Sequence, residues 1–148
     1  MIASVTQIRV RYADTDQMKN VYYSKYLEYL EQGRSDLLRQ VGLPYSEIES
    51  LGYFFPVIEV CVKYRQPARY DDLLEVKTLL REIPAARIRI EYEISRPRDG
   101  VLIAEGNTVH SIVAAETGRP VRAPRVFVEA LASAFKHSDK THQTQQEV

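Results

Sequence analysis

One long stretch of helical periodicity stands against five stretches of strand character, and that imbalance limits the architectures open to this chain. From Tyr22 to Val41 the residues Tyr22, Tyr26, Tyr29, Leu30, Gly33, Leu37, Leu38 and Val41 recur at steps of three and four, while Glu28, Glu31, Arg34, Asp36 and Arg39 take the other faces. A helix of about 20 residues is roughly 30 Å long, and Gly42 with Pro44 supplies its stop. Before it, Gln7–Tyr12 alternates as a half-buried strand, with Ile8, Val10 and Tyr12 on the inner face. After a short helical link at Tyr45–Leu51, the runs Phe55–Tyr64, Leu73–Arg81, Arg87–Ser95 and Val101–Ala115 are rich in β-branched and aromatic residues. Pro67, Pro84, Pro97 and Gly100 punctuate them, and Gly118 with Pro120 marks a further turn. The pattern predicts an α+β fold, one long central helix on a curved antiparallel sheet of about five strands. A single helix covers one sheet face, so the other face or an edge is solvated or covered by a second copy; a homodimer is expected, with a homotetramer open.

The 148 residues suit one domain. Residues 1–135 are assigned to it, with Val126–Phe135 as a short closing helix. Residues 136–148, polar and carrying His137 and His142, are expected to form a disordered tail. Twenty basic residues balance twenty acidic ones, which gives no footing for nucleic acid or an anionic membrane surface. The single cysteine, Cys61, excludes an intrachain disulfide and a cysteine-rich zinc site; its apolar run reads as a strand with a small buried hydrophobe. No signal-peptide pattern opens the chain and no apolar run reaches membrane-spanning length, so a cytoplasmic protein without membrane insertion is expected.

Two acids, Asp14 and Asp16, fall between the first strand and the long helix. Free N–H groups and the positive end of the helix dipole favour a carboxylate there and leave amides for a second anion. The pair fits a base or nucleophile beside an oxyanion site, and equally an ordinary turn and cap. A DxD pair can hold a divalent metal, yet no further ligand cluster accompanies it, so neither metal nor cofactor is expected. No histidine precedes His110, which sits in a strand and reads as a hydrogen-bonded core residue. There is no P-loop and no strand-linked GxGxxG. Tyr22, Tyr23, Tyr26 and Tyr29 crowd the helix start, as core residues or as the lining of an acyl tunnel.

The segments Tyr12-Ala-Asp-Thr-Asp16, Val21-Tyr22-Tyr23 with Tyr26, Tyr64 to Asp72 with Pro67-Ala68 inside it, Glu105-Gly106 and Thr117-Gly118-Arg119-Pro120 occur in an order that resembles hot-dog-fold acyl-CoA thioesterases, in the branch of hydroxybenzoyl-CoA thioesterase and the YbgC-like enzymes. The resemblance implies hydrolysis of an acyl-CoA thioester. It assigns Asp16 as nucleophile or general base, and the backbone amide of Tyr23 as the group polarising the carbonyl. Tyr22 and Tyr26 would bind substrate, and Arg81 and Arg87 would meet the CoA phosphates. The chain departs from the family at three places: Lys19-Asn20 stands where relatives carry a glycine, Tyr23 where YbgC-like relatives often carry a histidine, and Asp71 replaces a glycine before Asp72 in what reads as a surface turn. The alternative is a non-catalytic acyl-CoA-binding protein of the same fold.

Overall fold

The computed structural model describes residues 1–146. Its elements run β1 (Ile2–Arg9), α1 (Lys25–Gln40), α2 (Tyr45–Ser50), β2 (Tyr53–Phe54), β3 (Val57–Tyr64), β4 (Leu73–Leu80), β5 (Arg87–Arg96), β6 (Val101–Ser111), β7 (Val113–Ala114) and α3 (Arg125–Gln146). Five strands form one antiparallel sheet in the order β1-β4-β5-β6-β3, and β2 pairs with β7 in a small second sheet. This is the α+β architecture expected from the periodicities.

α1 lies across β1, β4 and β5. Its buried residues are Tyr26, Tyr29, Leu30, Gly33, Leu37 and Leu38, the stripe that the three-and-four spacing marks out. Gly33 sets the depth of this packing: a Cβ there would lie 2.9 Å from Val76 Cγ1 and closer still to Thr78 Oγ1. Across the sheet, Ile8, Leu74, Val76, Ile88, Ile90, Tyr92, Ile94 and Ile103 complete the core. The opposite face carries charged side chains such as Glu75, Lys77, Glu91 and Glu93.

Three expectations need correction. Tyr12 is not on the inner face: the strand ends at Arg9, a 3₁₀ turn covers Tyr12–Asp14, and Tyr12 is 70% exposed while Asp14 turns inward. Cys61 is exposed, because β3 is the edge strand: of its eight residues, Val57–Tyr64, every one but Val62 is exposed. Such rank in a sheet is a tertiary property with no signature in a strand's own composition. Finally, residues 136–146 are not a disordered tail. α3 continues through them to Gln146, anchored by buried Phe127 and Leu131 and by a bond from Ser138 Oγ to the Met1 carbonyl, 2.7 Å. Residues 147–148 lie outside the described residues.

A buried polar chain crosses the core. His110 Nδ1 meets the Phe55 carbonyl oxygen at 3.0 Å, its Nε2 meets Thr108 Oγ1 at 2.9 Å, and Thr108 Oγ1 meets the Tyr92 hydroxyl at 2.7 Å. Burial, assisted by the Arg34 charge, lowers the His110 pKa, and the bond to Phe55 opposes this only in part. The unfolded chain takes up the proton near pH 6.5 while the folded chain resists it. Stability should therefore be flat above about pH 6.5 and fall below it, continuing down to the lower folded-state pKa. Urea midpoints between pH 7.5 and pH 5.5 (about one unit either side of the reference value) measure this, and His110→Gln should flatten the profile.

Candidate active site

The polypeptide reaches α1 through a hairpin-like loop. Thr15 and Val21 bridge, the Asp16 N–H donates to the Asn20 carbonyl at 2.8 Å, and the Lys19 N–H donates to the Asp16 carbonyl at 3.0 Å. Asp16 Oδ1 accepts the N–H groups of Met18 at 2.9 Å and Asn20 at 3.2 Å. These bonds fix the carboxylate in one orientation and leave Oδ2 without a partner among the described residues. The loop is stitched to the chain after β3: Val21 N–H donates to the Ala68 carbonyl at 2.8 Å and Tyr70 N–H to the Lys19 carbonyl at 3.2 Å.

Two residues other than glycine have positive φ among the described residues, Lys19 at 65° and Asp71 at 68°. These are the places where the family resemblance expects glycine. In the first pair it is Lys19, not the more tolerant Asn20, that takes the left-handed conformation. Asp71 is more than a neutral surface change: its N–H donates to the Val10 carbonyl at 3.0 Å and its carbonyl accepts Arg9 Nη1 at 2.8 Å, which hold the turn in shape. A side chain in this region costs about 1–2 kcal/mol, part of which glycine's entropy returns. Lys19→Gly should thus stabilise the fold by about 0.5–1 kcal/mol, and β-branched Lys19→Val should destabilise it by about 1–2 kcal/mol, read from denaturant midpoints.

Asp14 serves the scaffold. Only 2% exposed, it accepts the Tyr29 hydroxyl at 2.9 Å on Oδ2, the Arg11 N–H at 3.2 Å on Oδ2 and Arg11 Nη2 at 3.2 Å on Oδ1, and its carbonyl accepts the Tyr22 N–H at 2.9 Å. Burial alone would raise its pKa, but the bonds from the Arg11 N–H, the Tyr29 hydroxyl and the Arg11 guanidinium outweigh it and hold the carboxyl below its usual range. Burial and Asp14 together push the Tyr29 phenol far up. With its oxygens committed to Arg11 and Tyr29, Asp14 does not join Asp16 as a shared metal ligand, and the described residues contain no group of three or more histidine, cysteine or acidic side chains able to hold a metal.

α1 opens with a tight turn, Lys25 N–H to the Tyr22 carbonyl at 2.9 Å, and no side chain caps it. The Tyr23 N–H meets no acceptor among the described residues, while its carbonyl accepts the Tyr64 hydroxyl at 3.0 Å. The Tyr64 ring packs on Tyr26, centroids 5.3 Å apart, and the Tyr26 hydroxyl accepts the Ala68 N–H at 3.4 Å. Asp16, Tyr22, Tyr23, Tyr26, Tyr64 and Pro67 line one open cleft of about 430 Å³. Four expected site residues, Asp16, Tyr22, Tyr23 and Tyr26, are thus brought together. Tyr22 and Tyr23 are exposed at its mouth, while Tyr26 is buried at its back.

Arg81 and Arg87 are elsewhere. Strand register places Arg9, Leu73, Ser95 and Tyr64 at the cleft end of the sheet and Ile2, Leu80, Arg87 and Val57 at the other. A strand of eight residues separates the ends by roughly 26 Å. Arg81 pairs with Glu91, and with Arg87 it borders a separate cavity of about 380 Å³ at the β4–β5 loop. Two cleft residues escaped the sequence reading: Tyr64, which holds the start of α1, and Arg65, a lining cation paired with Glu105 at 2.7 Å. Both adjoin the Pro67-Ala68 segment, the signal that could have found them.

Comparison with known proteins places this geometry in context. Residues 10–131 match the thioesterase-like superfamily. The acyl-CoA thioesterase YbgC of Haemophilus influenzae is 30% identical over 131 residues, covering 88% of this chain and 92% of that protein. A Thermus thermophilus protein of known crystal structure superposes with a TM-score of 0.82 at 43% identity, over 88% of this chain and 98% of that one. The DHNA-CoA thioesterase of Staphylococcus aureus superposes with a TM-score of 0.83 at 29% identity, over 98% of this chain and 96% of that one. With the match spanning the cleft and nearly the whole sheet, the chain belongs to the thioesterase-like superfamily and is a thioester hydrolase of the hot-dog fold.

Proposed function

We propose that the chain hydrolyses an acyl-CoA thioester to the free acid and CoA at the cleft between Asp16 and the start of α1. The observation that carries this reading is the pairing of a half-exposed carboxylate, with Oδ2 free, and an unpartnered Tyr23 amide in one cleft. The amide donates to the thioester carbonyl oxygen, where negative charge grows in the transition state. Asp16 Oδ2 then acts in one of two ways. It attacks the carbonyl carbon, breaking the C–S bond to release CoA thiolate and leaving an anhydride that water opens; or it takes a proton from the attacking water, and the tetrahedral intermediate expels the thiolate. Tyr22 and Tyr26 contact the acyl and pantetheine portions. Arg65 is the cation at the cleft itself, so an Arg81 or Arg87 contact to a CoA phosphate has to come from a second copy.

A homodimer fits the exposed edge strand. Val57, Ile58, Val60 and Tyr64 are each between 44% and 49% exposed on β3, beside a row of unpaired backbone groups. Light scattering should give at least twice the 17.1 kDa chain mass, and Val60→Lys should shift the protein toward monomer. A cytoplasmic location accords with the described residues, none of whose helices is long and apolar enough to cross a membrane. The test of activity is thiol release from aliphatic and aromatic acyl-CoAs. Saturable release with at least one substrate supports hydrolysis; saturable acyl-CoA binding without release supports the binding-protein alternative.

A further inference from the structure

Asp72, just before β4, and Arg96, the last residue of β5, form an ion pair at 3.0 Å whose side chains are 10% and 15% exposed. Neither borders the Asp16 cleft. Arg96 spends its other donors on Asp99 in the β5–β6 turn: Nε lies 3.1 Å from both carboxylate oxygens and Nη2 lies 2.9 Å from Oδ2. On Asp72 a single oxygen, Oδ2, accepts both Arg96 Nη1 and the Arg69 N–H, each at 3.0 Å. The Asp72 N–H closes the turn by donating to the Arg69 carbonyl at 3.1 Å, and the Val10 N–H donates to the Asp72 carbonyl at 2.9 Å. A guanidinium–carboxylate bond is among the stronger hydrogen bonds a protein makes. The turn at 69–72 is therefore fixed from β5 and from the chain just after β1 together.

The Asp16 loop leans on this turn at three points. Ala68 accepts the Val21 N–H at 2.8 Å, the Tyr70 N–H donates to the Lys19 carbonyl at 3.2 Å, and Asn20 bridges to Arg69. The Ala68 N–H also donates to the Tyr26 hydroxyl at the back of the cleft. Lys19 and Asp71, one in each loop, both hold left-handed backbone, at φ 65° and 68°. Such a conformation persists where the surrounding bonds over-determine it. We infer that the Asp72 carboxylate, clamped by Arg96, is a positioning residue for the reaction at the Asp16 cleft: it sets the turn, and the turn sets the loop that aims Asp16. Its effect on rate rests on the proposed hydrolysis, whereas its hold on the loop does not. A displacement of about 1 Å in a reacting group can cost about 10²-fold in rate, so loss of the clamp should appear in kcat.

Amide hydrogen exchange on the full chain and thiol release from acyl-CoAs read the two effects separately. In the wild type the Val21, Arg69 and Tyr70 amides should open as one unit, with protection factors that agree within about threefold. Asp72→Ala, which removes the acceptor for both Arg69 and Arg96, should speed their exchange about tenfold or more and leave Leu30 and Leu37 of α1 protected. The same variant should lower kcat by about 10–100-fold with KM within about threefold of wild type. Asp72→Asn keeps an oxygen that can take both donors and should recover most of the lost rate. Asp99→Ala strips the other carboxylate from the same arginine without touching the turn, and should leave kcat unchanged. An equal fall in kcat for Asp99→Ala, a change confined to KM, or unaltered exchange at Val21 and Tyr70 in Asp72→Ala would overturn the assignment. Should Asp72→Ala fail to fold, the wild type decides: Arg69 opening separately from Val21 and Tyr70 would break the link. If the wild type releases no thiol, the hydrolysis reading fails, while joint opening and faster exchange in Asp72→Ala would still establish the hold of Asp72 on the Asp16 loop.

Discussion

Asp16→Asn should lower kcat on an acyl-CoA by about 10²–10⁴-fold, the range removed with a general acid–base group, and leave folding stability nearly unchanged. The separation of the two effects comes from the loop. Asparagine keeps an Oδ1 that can accept the Met18 and Asn20 N–H groups, so the turn that aims residue 16 survives. It loses the negative charge on the second position, and with it both nucleophile and base. Asp16→Ala should reach the same low turnover and also lose about 1–2 kcal/mol of stability, because both backbone donors give up their acceptor. Initial rates of thiol release, set beside urea midpoints for the same preparations, check both statements. Undiminished turnover in the two variants would remove Asp16 from the mechanism.

Gly106→Ala should be among the most damaging single methyl additions, at about 3 kcal/mol. Gly106 lies in β6, paired to Val62 of β3 on one side and Tyr92 of β5 on the other. A Cβ at this position would fall well inside van der Waals contact distance of the Cys61 carbonyl oxygen, and would also lie 3.1 Å from the Val62 Cα. Both obstacles are backbone, so relief requires β3 to move rather than a rotamer to change. β3 carries Tyr64, whose hydroxyl holds the Tyr23 carbonyl at the start of α1. The substitution should therefore lower the melting temperature by about 6–12 °C, at 2–4 °C per kcal/mol for a chain of this size, and reduce thiol release in the fraction that remains folded. Differential scanning calorimetry and rates corrected for folded fraction measure the two parts.

The long helix was legible because its burial is periodic: Tyr26, Tyr29, Leu30, Gly33, Leu37 and Leu38 all face the sheet, and their spacing says so. The alternation of Ile88, Ile90, Tyr92 and Ile94 made β5 equally clear. What failed depends on contacts distant in sequence. Tyr12 continues the alternation of β1 in the sequence, but the backbone has already turned to send Asp14 beneath Tyr29. Cys61 looks like a core residue until the strand order makes β3 an edge. Residues 136–146 are too polar to signal burial, yet they prolong a helix whose first turns are anchored by Phe127 and Leu131.

The candidate site divides in the same way. Asp16, Tyr22, Tyr23 and Tyr26 fall within eleven residues and meet through local turns. The other wall comes from Tyr64 to Pro67, across the sheet, and was signalled only by family resemblance. Arg81 and Arg87 lie at the opposite end of the sheet from the Asp16 cleft of the same chain, a placement that charge and sequence distance do not reveal but strand register does. Lys19 shows the limit of reasoning from propensity: asparagine is the better left-handed residue, but the hydrogen bonds of the loop put the positive φ on its neighbour.

In the proposed mechanism the thioester lies between Asp16 and the Tyr23 amide. A crystal structure of Asp16→Asn with an intact acyl-CoA tests it most directly. The thioester oxygen is expected at about 2.7–3.2 Å from the Tyr23 nitrogen and the carbonyl carbon about 3–3.5 Å from the side chain at position 16. A thioester bound at the Arg81–Arg87 cavity, or in the Asp16 cleft with its carbonyl turned away from α1, would contradict it.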